Sequence, residues 1–152
     1  MIVRELSSKE CREALSAANF GRLACARENQ PYIVPIFFAA DGDFIYSFAS
    51  PGQKIDWMRE NPQVCLQFDN LSDGANWTSV IVFGQFFELM DTPEHGDERR
   101  RALTLLQVRP MWWEPGAISS AGGDPGAGSV PIFYRISSTA MTGHGYSTPP
   151  RR

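Results

Sequence analysis

Most signatures of familiar catalysis are missing from this chain. No Gly-x-Gly-x-x-Gly follows an apolar run, and there is no Walker-type phosphate loop, so two common nucleotide cradles are excluded. No Gly-x-Ser-x-Gly elbow occurs. Histidine is scarce: His95 and His144 fall outside any ligand spacing, so no zinc centre is expected, and nothing favours a hydrolytic triad built on either. The three cysteines, Cys11, Cys25 and Cys65, form no Cys-x-x-Cys pair and read as reduced thiols packed as small apolar groups. Charge of one sign is lacking too. A net charge of −3 without a basic stripe argues against nucleic acid or an anionic membrane as partner. Apolar runs such as 33–40 are too short to cross a bilayer. The opening Met-Ile-Val-Arg-Glu-Leu has no signal-peptide core, so a cytoplasmic protein is expected.

What is present suits a packed domain. Hydrophobic residues make up 43% of the 152 and aromatics 12%, enough for one core spanning 1–152. Ser7-Ser-Lys-Glu10 reads as a capping box opening a helix over 8–17. Strand candidates follow at 23–27, 32–40 and 44–49, joined by the turns Glu28-Asn-Gln-Pro31 and Asp41-Gly-Asp43. Residues 64–69 alternate apolar and mixed positions, which predicts a strand with one side on the core. After a loop over 71–76, the stretch 77–90 predicts a long strand. Gly84 in its middle signals a bulge or the close approach of another backbone.

Thr92-Pro93 looks like the start of a helix running to about Val108, with Arg99–Arg101 a solvated face balanced by Glu94, Asp97 and Glu98. Residues 109–131 show no period. Trp112 and Trp113 there suggest a lid or a partner contact, against the plainer reading of a surface excursion. A last strand is predicted at 132–136 and a mobile tail at 146–152. Six mostly antiparallel strands and three helices make the fold mainly β, and a closed or split barrel suits them because it removes exposed edges.

One stretch carries chemistry. The strand 44–49 passes through Ser50-Pro51-Gly52 into a helix from Gln53 that must stop near Asn61, ahead of Pro62. Free amides in a first helical turn, beside Gly52 and Lys54, form a seat for a phosphate. The residues alone do not separate this from a solvated lysine.

Five segments in order resemble one family: Gly21-Arg-Leu-Ala, Gln30-Pro-Tyr-Ile-Val-Pro, Ile45-Tyr-Ser-Phe-Ala-Ser-Pro-Gly-Gln-Lys-Ile, Asn61-Pro-Gln-Val-Cys and Ser79-Val-Ile-Val-Phe-Gly. They are similar to the pyridoxamine 5′-phosphate oxidase-like, FMN-binding split-barrel superfamily, most of all to the nitroimidazole-resistance-type flavoproteins. The resemblance covers roughly 6–90, with weaker support from Tyr134-Arg-Ile136 and Thr142-Gly143.

The resemblance implies a six-stranded antiparallel split β-barrel that forms a homodimer, with FMN in clefts between subunits. It implies a flavin ring along Val34, Pro35, Ile36 and Phe37, bordered by Ser47 and Phe48. Gln53 and Lys54 would hold the phosphate, and Ser79 would add a hydroxyl or its amide. The implied activity is reduction of a small organic acceptor, such as a nitro compound, with NAD(P)H as donor. A non-catalytic flavin-binding or storage module and a haem-handling relative are the alternatives, and FAD or a deazaflavin remains open as cofactor. Two departures stand out. The oxidase itself has an arginine where Val34 is placed, which argues against pyridoxamine phosphate as substrate. The histidine found near Ser47 in many relatives is absent. No acid or base stands beside Pro35, so no catalytic residue is assigned.

Overall fold

The computed structural model describes residues 2–72, 76–108 and 131–147. In chain order the elements are β1 (Ile2–Glu5), α1 (Ser8–Ala17), β2 (Phe20–Arg27), β3 (Gln30–Phe37), β4 (Ala39–Asp41), β5 (Phe44–Ala49), α2 (Gln53–Glu60), β6 (Gln63–Ser72), β7 (Asn76–Leu89), α3 (Gly96–Gln107) and β8 (Ile132–Ser147). All eight strands belong to one antiparallel sheet in the order β3-β2-β6-β7-β8-β5-β4, with β1 on β8. The sheet curls into a split barrel.

The expected strand count of six becomes eight for two local reasons. β1 pairs with the end of β8, Ile2 opposite Ser147. The expected strand over 32–40 changes partner at Phe38. The Phe38 N–H still bonds to Asn19 O on the β2 side at 3.0 Å, whereas Ala39 to Asp41 pair with Tyr46 to Phe44 of β5. Gly42 then takes a left-handed φ of 60° in the turn.

β8 is the spine of the split. Its register on β7 breaks between Phe83 and Gly84. On one side of the break β8 lies between β7 and β5; on the other its end lies between β7 and β1. Gly84 is fixed by contact: a Cβ there would sit 2.6 Å from the Ser137 carbonyl oxygen. Both halves of the reading of this glycine hold, a bulge and a close backbone.

Among the described residues, two apolar clusters form the core. The larger lies within the barrel, where Leu23, Leu66, Val80 and Ile136 meet Leu15 of α1 and Ile55, Trp57 and Met58 of α2. The smaller lies under α3, between Ala102 and Leu106 and the strand residues Tyr46, Phe48, Leu89 and Phe133. The capping box of α1 is complete, with Ser7 Oγ accepting from the Glu10 N–H and the Ser7 N–H donating to Glu10 Oε2 at 2.7 Å.

α3 begins at Gly96, later than Thr92-Pro93 suggests, because the His95 N–H closes a turn on Thr92 O at 3.1 Å before the helix starts. Its arginines are not a uniform solvated face. Arg100 pairs with Asp97, Arg101 reaches Asp41 at 2.7 Å, and Arg99 lies over the Phe133 ring. β6 takes in Leu71 and Ser72, expected as loop, and β8 extends far past Ile136 through Tyr146 and Ser147, expected as tail. Trp112, Trp113 and nearly all of the expected 109–131 loop lie outside the described residues, as do 148–152. No helix among the described residues is long and apolar enough to cross a membrane.

Candidate functional site

β3 is an edge strand, and its sequence is written for one. Glu28 and Asn29 both have positive φ, at 50° and 64°, and form a two-residue turn closing on the Arg27–Gln30 pair. The closing pair of such a hairpin exchanges hydrogen bonds, and bonded and non-bonded pairs alternate from there. The ladder groups of Tyr32, Val34 and Ile36 therefore point at β2. Those of Pro31, Ile33, Pro35 and Phe37 point to the open edge. The two prolines stand where no N–H is required. Gln30 Nε2 donates to the outward Pro31 carbonyl at 3.0 Å. The Ile33 amide and carbonyl and the Pro35 carbonyl are turned to the same edge.

Two contacts tie β3 to β5 and to α2, which itself packs mainly on β2. At one end the buried Ser47 hydroxyl donates to Phe37 O at 2.6 Å. At the other the Tyr32 and Trp57 rings meet at 5.4 Å between centroids.

α2 opens without a side-chain cap, unlike α1, because its N-cap is Gly52. An added Cβ at Gly52 would meet nothing nearer than Ser50 O at 3.9 Å, so the space beside this glycine is open. The first-turn amides carry the positive end of the helix dipole. Gln53 is exposed and Lys54 half-buried. Burial pushes the Cys25 thiol up, and the Lys54 charge acts on it in the opposite direction. Cys25 pairs with Tyr32, whose ring meets Trp57 of α2.

The residues singled out from sequence divide by sheet face. Val34 and Ile36 face the barrel core with Ser47. Pro35 and Phe37 face outward. Pro35 pairs with Arg22, which pairs with Gln67, whose Nε2 donates to Ser79 Oγ at 3.1 Å. Ser79 thus belongs to the outer face and is already a partner of Gln67. Phe48 lies on the opposite side of β5 from Ser47, beneath α3 and 5.8 Å from the Phe133 ring. Gln53 and Lys54 stand together at the head of α2.

Sequence reasoning passed over Tyr32 and Trp57, which hold α2 to the hairpin, and Arg59, which forks onto Glu88 of β7 at 2.9 and 2.7 Å. Tyr32 alternates with Val34 and could have been found from the strand period. The Arg59–Glu88 pair, 29 residues apart, leaves no local trace.

A family model described as pyridoxamine 5′-phosphate oxidase matches residues 7–144. An uncharacterized protein of Rhizobium meliloti is 43% identical over 143 residues, covering 94% of this chain and 95% of that one. The crystal structure of an FAD-binding protein from Mesorhizobium loti is 41% identical, with a TM-score of 0.83 over 97% of this chain and 100% of its own. A candidate 5-nitroimidazole antibiotic resistance protein from Bacteroides thetaiotaomicron is 18% identical, with a TM-score of 0.68 over 96% of this chain and 90% of that one. At that identity the likeness is one of fold.

Proposed function

The chain belongs to the pyridoxamine 5′-phosphate oxidase family, and from that premise we propose that it binds a flavin nucleotide and works as an oxidoreductase, moving electrons from a nicotinamide donor to a small organic acceptor such as a nitro compound. The observation that carries the reading is the lysine-bearing start of α2, which has no side-chain cap and belongs to a helix packed on the β2–β3 hairpin through Trp57 and Tyr32. The name of the Mesorhizobium loti relative supports FAD, and the sequence resemblance supports FMN. Both have a phosphate on the ribityl chain, which is the group the α2 seat suits.

A bound flavin supplies the electron chemistry, and the protein binds, orients and shields it. Half-buried Val34 gives an apolar wall, backed by Ile36 in the core. The outward Ile33 and Pro35 backbone groups match the polar edge of a planar heterocycle. The first-turn amides, Gln53 and Lys54 take the phosphate through charge-assisted hydrogen bonds. Ser47 keeps its hydroxyl on Phe37 O and so orients the strand rather than the ring. Valine at position 34, where the oxidase has arginine, argues against pyridoxamine phosphate as substrate.

The working unit we propose is a homodimer joined through the outer face of the sheet. Ile33, Ala24, Cys65 and Phe83 form one row across four strands there. Ile33 is 63% exposed and Phe83 45%, an apolar display that favours burial against a second copy. Pro35, Phe37 and Ser79 share that face, so a cofactor over the β3 edge would lie at the seam.

The visible spectrum of the purified protein, followed by the mass of the released chromophore, tests binding and tells FAD from FMN. A colourless protein that stays colourless when offered flavins ends the proposal. Oxidation of NADH or NADPH with a nitroaromatic acceptor tests turnover. A bound flavin that neither donor reduces would mark a flavin carrier instead.

A further inference from the structure

The two halves of α2 are held differently: Ile55 in the first turn is buried in the core, and the second half is tied by polar contacts. Its second half is tied down by the Arg27 guanidinium over Trp57 at 4.9 Å and by Asn61 Nδ2 donating to Ala26 O at 3.0 Å. The tie to the other side of the barrel is the Arg59–Glu88 fork, with Nε to Oε2 at 2.9 Å and Nη2 to Oε1 at 2.7 Å. Two parallel bonds between planar groups fix direction as well as distance. Glu88 stands on β7 opposite Tyr134 of β8, a rigid base for the fork. The fork also holds the Glu88 carboxyl below its ordinary range. The same guanidinium lies 3.9 Å from Asp56, a carboxylate in the first turn of α2.

We propose that Arg59 is a positioning residue for the phosphate end of the cofactor: its fork to Glu88 sets the bearing of α2, and its contact with Asp56 offsets the carboxylate beside the seat. This rests on the reading of α2 as a phosphate seat. Loss of the fork turns the helix start away from the β3 edge and leaves Asp56 uncompensated. Both effects weaken the hold on a phosphate and spare contacts to the ring.

The test is a difference between two ligands. The full chain is titrated with FMN and with riboflavin, which has the ring but no phosphate, and the ratio of the two dissociation constants is followed. In Arg59→Gln and in Glu88→Gln the preference for FMN should fall about three- to tenfold, with riboflavin binding held within about twofold, as expected for loss of one well-placed charge-assisted contact. The exchange variant Arg59→Glu with Glu88→Arg should recover much of the preference. An unchanged preference in both single variants, or equal weakening of both ligands alongside a lower Tm, overturns the proposal, since a merely structural pair would act that way. Lys54→Gln separates the layers. If it lowers the preference and the fork variants do not, the seat stands and the positioning role falls. If Lys54→Gln and the fork variants alike leave it intact, the seat and the positioning role fall together.

Discussion

The Ser47 hydroxyl on β5 donates to the Phe37 carbonyl on β3 across 2.6 Å, one residue before the chain changes partner at Phe38. This bond stitches the two sides of the split at one end, because β3 and β5 share no ladder. Ser47→Ala would remove that donor from a part-buried carbonyl oxygen. Such a loss costs about 1–3 kcal/mol. Urea unfolding should show a lower midpoint with an unchanged m-value, and flavin affinity should fall as the β3 edge drifts from β5. A midpoint equal to wild type would mean that water replaces the hydroxyl and that the stitch is dispensable.

Charge reversal at the seat gives the most direct test of cofactor binding. Lys54→Glu places a carboxylate where a phosphate dianion is proposed to rest, beside amides that cannot offset it. Flavin nucleotide affinity should drop at least about tenfold, since both an attraction is lost and a repulsion gained. Absorbance of the purified variant and a fluorescence titration check it, with circular dichroism confirming the fold. Undiminished occupancy would sink the seat.

Much of the frame was legible because it rests on local rules. The Ser7–Glu10 box, the Gly42 turn, the bulge at Gly84 and the start of α2 at Gln53 each depend on a few neighbouring residues. What escaped depends on distant partners. Phe38 ends β3 only because β5 takes over the pairing from Ala39. The far half of β8 has no apolar period, since Gly143 and Gly145 are small for another reason: a Cβ on Gly143 would come within 2.9 Å of Cys11 Sγ and of Leu6, and one on Gly145 would crowd Leu6 at 3.1 Å. At the candidate site, the resemblance sets Ser47 and Phe48 together beside the cofactor; strand alternation puts them on opposite faces, and α3 covers Phe48. The clustering of Gln53 with Lys54 was readable. The division of Val34 from Pro35 between core and outer face was readable in period, though its bearing on a shared seam needs the sheet order.

α3 is latched to the sheet by a group that titrates in base. Tyr46 Oη donates to Glu98 Oε1 at 3.2 Å, and Arg135 pairs with the same carboxylate. Burial and then the Glu98 charge push the Tyr46 phenol up to about 12, from an ordinary value of 10.0. A raised folded pKa favours the folded state while the phenol is protonated. That contribution is complete below pH 10, and is lost as pH rises from 10 through about 12. Wild-type stability should therefore decline across this window. Tyr46→Phe should decline less, because the ionising group is gone. Parallel alkaline limbs for the two proteins in denaturant titrations would show that Tyr46 is not the group responsible.

The outer face offers the last prediction. Phe83 stands on it in the row that runs through Cys65 and Ala24 to Ile33, with Gln67 and Ser79 on the neighbouring positions. If two copies join there, Phe83→Glu buries a charge with no partner, a change costing several kcal/mol at an interface core. In a monomer the same substitution is nearly silent, because the side chain is 45% exposed. Sedimentation should show the wild-type chain as a dimer and the variant as a monomer, with the thermal transition of the isolated chain little altered. Flavin content is then the informative readout. Loss of the dimer together with the chromophore would place the cofactor at the seam, where Pro35 and Ser79 lie. A monomer that keeps its flavin would confine binding to the β3 edge and α2 of one copy, and a variant that stays dimeric would move the interface elsewhere.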